Sequence, residues 1–350
     1  MNITIDGLLG KPEYISAIVE RSLANQRDEI ILGNYLGFDP TLSRVFKSLY
    51  GTTTSVRMGS VIDKSAGKPI RGRRSIGEAT LEVIDLGDRF QMDNDRLERL
   101  QSLVNSLNRG IVPADVVTNF LVEDFRDVSI APYKRMEKVL FDLLYNGKAS
   151  VKLEDNPLGV QVVDMELPIL SEKAKTADKD HLIEFLVSIV NKYSYLRFAT
   201  MEMNQATFLK FFAKSPELLG KYKVTQGGTE VEIKGTVPLS AVNAMLEALD
   251  LPTIRVVKNM VTDLNGNDYS LCPDNKIVFL PAGQIGNIRY KSPYELSDRV
   301  GGKTYTVLRG DHMIASERTN EGRFIEYECH WVPEIVVPKR IVAIDLTAIK

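Results

Sequence analysis

The chain has 350 residues, of which 44% are hydrophobic, so it can bury one large core or two modest ones. Its 44 basic and 46 acidic residues give a net charge of −2, which excludes a chain-wide field for holding nucleic acid or an anionic membrane. The two cysteines, Cys272 and Cys329, exclude a disulfide framework, and we expect free thiols, with one bridge as the alternative. Since no apolar run approaches roughly 20 residues, we expect no membrane partner.

The N-terminal segment contains one short amphipathic helix, which we predict for positions 14–23. A proline at position 12 is tolerated because it falls in the first turn. The apolar residues of the helix share one stripe at helical spacing: Ile15, Ile18, Val19 and Leu23.

Between positions 52 and 92 the hydrophobic period changes to two, which predicts a long two-stranded hairpin. The alternation is clear at 54–58 and at 79–83, and the stretch between them is polar and rich in glycine. Strands this polar on both faces cannot form a core of their own, so we expect the hairpin to lie against another subunit. The predicted tip carries the chain's one marked basic cluster: Lys64, Lys68, Arg71, Arg73 and Arg74.

Two helical patterns follow the hairpin. Asp93 is the predicted N-cap of a helix that ends near Gly110. A second run, at 114–145, stops at Asn146-Gly147 and contains Pro132, so it is either one kinked helix or two helices joined end to end.

The second half of the sequence mixes helices and strands without regular alternation, which favours an α+β fold over a doubly wound sheet. We predict helices at 181–193, after Asn204 and near 240–249. Predicted strands lie at 160–168, 195–201, 254–261 and 276–280, with a turn at Asn265-Gly266 and a mostly extended tail after 304.

The stretch LPTIRVVKNMVTDLNGNDYSLCPDNKIVFLPAGQIGNIRY, at 251–290, resembles the lambda-type major capsid proteins of tailed bacteriophages. In that family a strand after Leu-Pro, an Asn-Gly hairpin turn, a Pro-Asp-Asn turn and a strand ending in Phe-Leu-Pro occur in this order. The matching positions are Pro252, Asn265, Gly266, Pro273, Asp274, Asn275 and Pro281.

The resemblance implies an α+β, HK97-like capsid fold with an N-terminal arm, an extended E-loop hairpin, a spine-helix peripheral domain and an axial domain. One feature departs from the family plan, because a helix at 93–107 precedes the expected spine helix. The implied domains are the arm at 1–51, the E-loop at 52–92, the peripheral domain at 93–180, the axial domain at 181–298 and a return to the peripheral domain at 299–350.

In such a capsid the basic hairpin tip would lie over the neighbouring subunit. We expect it to meet acidic side chains on the neighbour's spine helix: Glu123, Asp124 and Asp127. Each exposed pair contributes only about 0 to 1 kcal/mol, but symmetric repetition multiplies the effect. A solvated loop is the alternative.

No residue pattern indicates catalysis, a metal or a cofactor. The VGGKT at 300–304 resembles the end of a phosphate-binding loop, but Ser297 occupies the position of a required glycine and no apolar strand precedes it. The three histidines are scattered, and Cys329 has no second ligand pair at zinc-site spacing. Asp93, Asp95 and Glu98 are explained by a helix start, where carboxylates favour the dipole.

The sequence therefore predicts a structural protein that assembles with itself into pentamers and hexamers of an icosahedral head. Scaffold, portal and head-completion proteins are expected partners, as is packaged double-stranded DNA held without sequence readout. The near-neutral charge is consistent with this, because a strongly basic lining would hinder DNA release. The expected location is the virion, and the host cytoplasm during assembly. An encapsulin-type compartment shell and a soluble enzyme with an unrecognised site remain the alternatives.

Overall fold

A computed structural model of the chain describes residues 3–51, 76–152, 163–179, 181–215, 218, 223–226, 229–232 and 235–349. The chain forms two compact units, each built from separate stretches of sequence. Unit 1 comprises Met1–Phe46, Leu81–Lys138 and Gly286–Glu334. Unit 2 comprises Lys47–Thr80, Val139–Ile285 and Ile335–Lys350.

The helices and strands are numbered here in chain order. The helices are α1 Ile5–Leu9, α2 Pro12–Asn25, α3 Asn94–Asn108, α4 Ala114–Asp124, α5 Arg126–Asn146, α6 Leu182–Lys192, α7 Gln205–Phe208 and α8 Leu239–Glu247. The strands are β1 Leu36–Pro40, β2 Val45–Gly51, β3 Ile76–Glu82, β4 Ile84–Met92, β5 Lys148–Val151, β6 Val163–Glu166, β7 Leu170–Lys173, β8 Thr200–Met203, β9 Lys223–Gln226, β10 Thr229–Glu232, β11 Thr253–Val256, β12 Met260–Thr262, β13 Asp268–Ser270, β14 Lys276–Leu280, β15 Gly286–Lys291, β16 Lys303–Leu308, β17 His312–Thr319, β18 Gly322–Ile335 and β19 Val342–Asp345.

Unit 1 is built on a six-stranded sheet in the order β1-β15-β18-β17-β16, with β4 also paired to β18. The long strand β18 runs antiparallel to β4, from Arg323 opposite Met92 to Trp331 opposite Ile84. Helices α2, α3 and α4 bury their apolar stripes in the same core as residues of β17 and β18. Its members include Ile15, Leu100, Leu121, Phe125, Ile314 and Ile325.

Unit 2 holds a five-stranded sheet in the order β11-β8-β14-β19-β7. Its pairings are mixed in sense, since the central strand β14 is antiparallel to β8 and β19, whereas the outer strands β11 and β7 are parallel to their neighbours. Helices α6 and α8 pack on it through Leu186 and Leu246, against Phe279. This mixture of parallel and antiparallel pairs confirms the predicted α+β class.

The capping signals of the sequence are confirmed at two helix starts. The Asp93 side chain accepts a hydrogen bond from the backbone N–H of Arg96 at 2.8 Å, and α3 ends before Gly110, whose φ is +73°. Asn204 accepts from the N–H of Thr207 at 2.8 Å. The helix after Asn204 is short, because α7 gives way to a π-helical turn at Leu209–Ala213.

The run at 114–145 is two helices, but Pro132 does not separate them. α4 and α5 meet at Phe125, and Pro132 lies inside α5. Phe125 is completely buried, so the two helices meet where the core holds a side chain in place. They do not meet at Pro132, although this residue lacks a backbone N–H. A consequence is that the Val128 carbonyl, four residues before the proline, lacks the helical N–H that would normally bond it.

Two strand predictions were wrong in their bounds. The segment predicted as a strand at 195–201 is extended only from Thr200, and the one predicted at 254–261 is interrupted between β11 and β12. The predicted Asn265-Gly266 turn is confirmed, since it joins β12 and β13 with a Gly266 φ of +83°. The extended tail is confirmed as β16 to β19.

Candidate assembly surface

The predicted basic hairpin tip lies outside the described residues. This applies to each member of the cluster: Lys64, Lys68, Arg71, Arg73 and Arg74. The structure describes the segment's two ends, where β2 pairs with β3 and Lys47 contacts Glu78 at 2.9 Å. The adjoining strand β4, within the range predicted as the hairpin, is a member of the unit 1 sheet.

Unit 1 contains an ionic cluster that includes residues lying just before and just after the segment 47–80 in sequence. Arg44 contacts Asp85 at 2.6 Å and Glu82 at 3.4 Å. Asp85 also bonds Nδ1 of His330, and Glu328 lies 2.9 Å from Nε2. Burial lowers the pKa of His330, but the bonds and charges of Asp85 and Glu328 outweigh it and raise the pKa to about 9. His330 is therefore a cation at neutral pH.

The predicted acidic partners lie at the junction of α4 and α5, and Arg96 of α3 occupies one of them. Its Nε is 3.0 Å from Asp124, and its guanidinium stacks 3.7 Å from the ring centre of Phe120. The Asp124 side chain is only 19% exposed. Burial raises its pKa, and Arg96 opposes this in part. Asp124 is thus engaged within its own chain.

The other two acidic residues stay on the surface. Glu123 lies 3.5 Å from Arg96, at the limit of a contact, and its side chain is 76% exposed. Asp127, in the first turn of α5, is also exposed. The surface that remains available for a basic partner is therefore Glu123 and Asp127.

A shallow groove of about 600 Å³ is lined by residues of α3 and by Phe120 of α4, about one helical turn before Glu123. Sequence reasoning missed it because Asp95 and Glu98 were assigned to the helix start alone, and the partner helix α4 was not placed beside them. The groove is lined by both polar and apolar side chains: Asp95, Glu98, Arg99, Ser102, Leu103, Ser106 and Phe120.

The VGGKT stretch lacks the helix that follows a phosphate-binding loop. It leads into strand β16, which begins at Lys303, and not into a helix. The Lys303 ammonium is bound by Glu295, at 2.9 Å, and by Glu326. Burial lowers the pKa of Lys303, but these two carboxylates raise it above its usual value. The charge of Lys303 is therefore paired with carboxylates of its own chain.

Both cysteines are free and buried, as expected. Burial raises the pKa of the Cys272 thiol to about 12 and that of Cys329 well above its usual value, so neither is reactive at neutral pH. Within the described ranges, no group of three or more His, Cys, Asp or Glu side chains could hold a metal ion. In the same part of the chain, no helix is long and apolar enough to cross a membrane.

Comparison with known proteins gives matches in structure and none in sequence. No family model and no curated protein matches the chain. A crystal structure described as the "putative capsid protein of prophage (E.coli CFT073)" matches with a TM-score of 0.52 at 12% identity, over 96% of this chain and 99% of that one. A phage-related protein from Bordetella bronchiseptica RB50 matches with a TM-score of 0.51 at 10% identity, over 96% and 97%.

These two matches span nearly the whole of each chain, so they concern the architecture and not one shared motif. The chain has the fold of phage capsid proteins, and the predicted α+β capsid fold is confirmed. The lambda-type subtype and the division into arm, E-loop, peripheral and axial domains stay predictions.

Proposed function

We propose that this chain is the major capsid protein of a tailed bacteriophage, which assembles with itself into pentamers and hexamers of an icosahedral head around phage DNA. The observation that carries the proposal is the full-length match to the prophage protein described as a capsid protein. The domain plan stays as predicted: arm 1–51, E-loop 52–92, peripheral domain 93–180 and 299–350, axial domain 181–298.

The proposed role requires no chemistry, only repeated contacts between subunits. Interfaces of this kind are heterologous and close into rings, so each subunit gives one surface and receives on another. Scaffold, portal and head-completion proteins, and DNA held through its phosphates, belong to the proposal as partners, as does assembly in the host cytoplasm.

The receiving surface for the basic tip is revised by the geometry around Arg96. Asp124 is engaged by that side chain, so Glu123 and Asp127 become the proposed contacts for Arg73 and Arg74 of a neighbour. Additional support comes from the groove along α3, whose lining includes the acidic residues Asp95 and Glu98.

Negative-stain electron microscopy with light scattering, with and without the neighbouring scaffold gene product, tests the function. Closed shells or free pentamers and hexamers are expected. A strict monomer or dimer under all conditions, scaffold included, would return the enzyme alternative to first place. Shells that retain an enzyme cargo would favour the encapsulin alternative.

A charge-reversal pair tests the contact separately. Arg73→Glu with Arg74→Glu should reduce the yield of shells, and adding Glu123→Arg with Asp127→Arg should restore part of it. The matched control is Glu13→Lys, at an exposed position of α2. If the variant with Arg73→Glu and Arg74→Glu assembled fully, the proposed contact would be refuted, whereas the proposed capsid function would be unaffected.

A further inference from the structure

A completely buried histidine begins strand β17 of unit 1. His312 is 0% exposed, and neither of its ring nitrogens has a hydrogen-bond partner among the described residues. Buried polar groups are nearly always bonded, so an unpaired imidazole in a core needs an explanation. The proposed assembly function does not use this residue, which leaves its role open.

The walls around His312 are aromatic. Its ring centre lies 6.2 Å from that of Tyr133 on α5, 5.8 Å from Tyr327 and 5.7 Å from Trp331, both on β18. The polar ends of two walls are already bonded, because the Tyr327 hydroxyl donates to Asp88 at 2.5 Å and the Trp331 N–H to the Gly310 carbonyl at 2.6 Å. These three aromatic residues form a box that contacts the imidazole only through the edges and faces of their rings.

One polar group stands beside the ring. The Val128 carbonyl of α5 acts on His312 in favour of the protonated form. This is the carbonyl that Pro132 leaves without its helical N–H partner. This carbonyl can accept the one N–H of the neutral ring, whereas the second N–H that protonation adds has no acceptor among the described residues.

We propose that His312 is an acid-operated switch between α5 and the β17–β18 sheet. The neutral ring fills the aromatic box and keeps the helix packed. A proton taken up from solvent gives the ring a charge and a second N–H that the box does not bond, so the box must open to water.

No charged group of the described residues forms a hydrogen bond with the imidazole. Asp88 is bonded by Tyr327, and the Cys329 thiol on the same strand is buried and neutral. Arg309 acts on Tyr133 and Arg135 on Tyr327, which adds positive charge. Burial lowers the pKa of His312 to about 4, and the Val128 carbonyl opposes this only in part.

This inference concerns the folded subunit and does not rest on the proposed function. In a shell the same switch would be present in every copy, so acid would act on all subunits together.

Trp331 is the chain's one tryptophan, so its fluorescence reports on the box without labelling. A protonated imidazole in contact with an indole quenches its emission. The full-length protein should lose intensity in a step centred near pH 4, before the red shift that marks unfolding. His312→Phe should lack the step, and His330→Gln should keep it.

Nuclear magnetic resonance of the wild-type imidazoles decides the case if His312→Phe does not fold. The three histidines are His181, His312 and His330, so assignment needs only His181→Gln and His330→Gln. A His312 signal that titrates near pH 4 is expected. Titration at the ordinary value of about 6.5, or the same quenching step in His312→Phe, would overturn the switch.

Discussion

The two faces of strand β18 hold histidines in opposite surroundings. On one face, Tyr327 and Trp331 enclose His312, and its pKa falls to about 4 because the ring is buried among apolar groups. On the other face, burial acts on His330 in the same direction, but Asp85 and Glu328 outweigh it and raise the pKa to about 9. The difference shows that in this protein the presence of carboxylates, and not depth alone, decides the charge of a histidine.

The alternation of a strand separates these environments. Tyr327, Cys329 and Trp331 are buried, whereas Glu328 and His330 between them are partly exposed. Because successive side chains point to opposite faces, neighbours in sequence can lie in different media. Experiments that disturb one face should therefore leave the titration of the other unchanged.

Removing the aromatic wall should have the largest effect. Trp331→Ala empties a fully buried site, and we expect the free energy of unfolding to fall by about 3 to 5 kcal/mol. Urea unfolding followed by circular dichroism at neutral pH measures it. Tyr294→Ala, at a position 76% exposed, is the control and should change it by less than about 0.5 kcal/mol. A loss near that of the control would show that the box is not part of the core.

Acid should separate the wild type from His312→Phe. The pKa of His312 is lower in the folded state than its ordinary value of about 6.5, so the unfolded state binds the proton more readily. Stability is therefore lost as pH falls from about 6.5 to about 4, by about 3 kcal/mol at most. Unfolding across this range should show the larger acid loss in the wild type. If both proteins lost the same free energy of unfolding between about pH 6.5 and about pH 4, His312 would not be the group responsible.

Alkali should act on the opposite face. The pKa of His330 is raised to about 9 in the folded state, so its stabilisation is complete below about 6.5 and is lost as pH rises through about 9. The contacting carboxylates are partly exposed, which limits the effect to about 1 to 2 kcal/mol. In His330→Gln this loss of stability at alkaline pH should disappear. Urea unfolding below about pH 6.5 and above about pH 9 measures it. His312→Phe, the matched control, should retain it.

The smallest expected effect concerns Arg44, which competes with His330 for Asp85. The Arg44 side chain is 48% exposed, so Arg44→Ala should cost about 0.5 to 1 kcal/mol and less at high salt. Asp85 would keep its bond to His330 without the nearby guanidinium charge, so the pKa of His330 should rise further. Imidazole resonances followed against pH measure this rise. An unchanged value would mean that Arg44 and His330 do not share the carboxylate.

The candidate surface could be predicted from the sequence only in part. The resemblance to capsid proteins and the charge complementarity to the basic tip together pointed to Glu123, Asp124 and Asp127. They could not show that Asp124 is engaged, since Arg96 lies on another helix. Nor could the sequence show the α3–α4 groove, which exists only where two helices pack side by side.

Local patterns in the sequence determined much of this protein. The apolar stripes predicted α2 and α3, Asp93 and Asn204 marked helix starts, and the Asn265-Gly266 pair fixed a turn, because each depends on neighbours within a few residues. Only the tertiary structure decided the pairing of β4 with β18, the helix junction at Phe125 and the opposite pKa shifts of His312 and His330. These depend on contacts between residues far apart in the chain, and such contacts leave no periodic signal in the sequence.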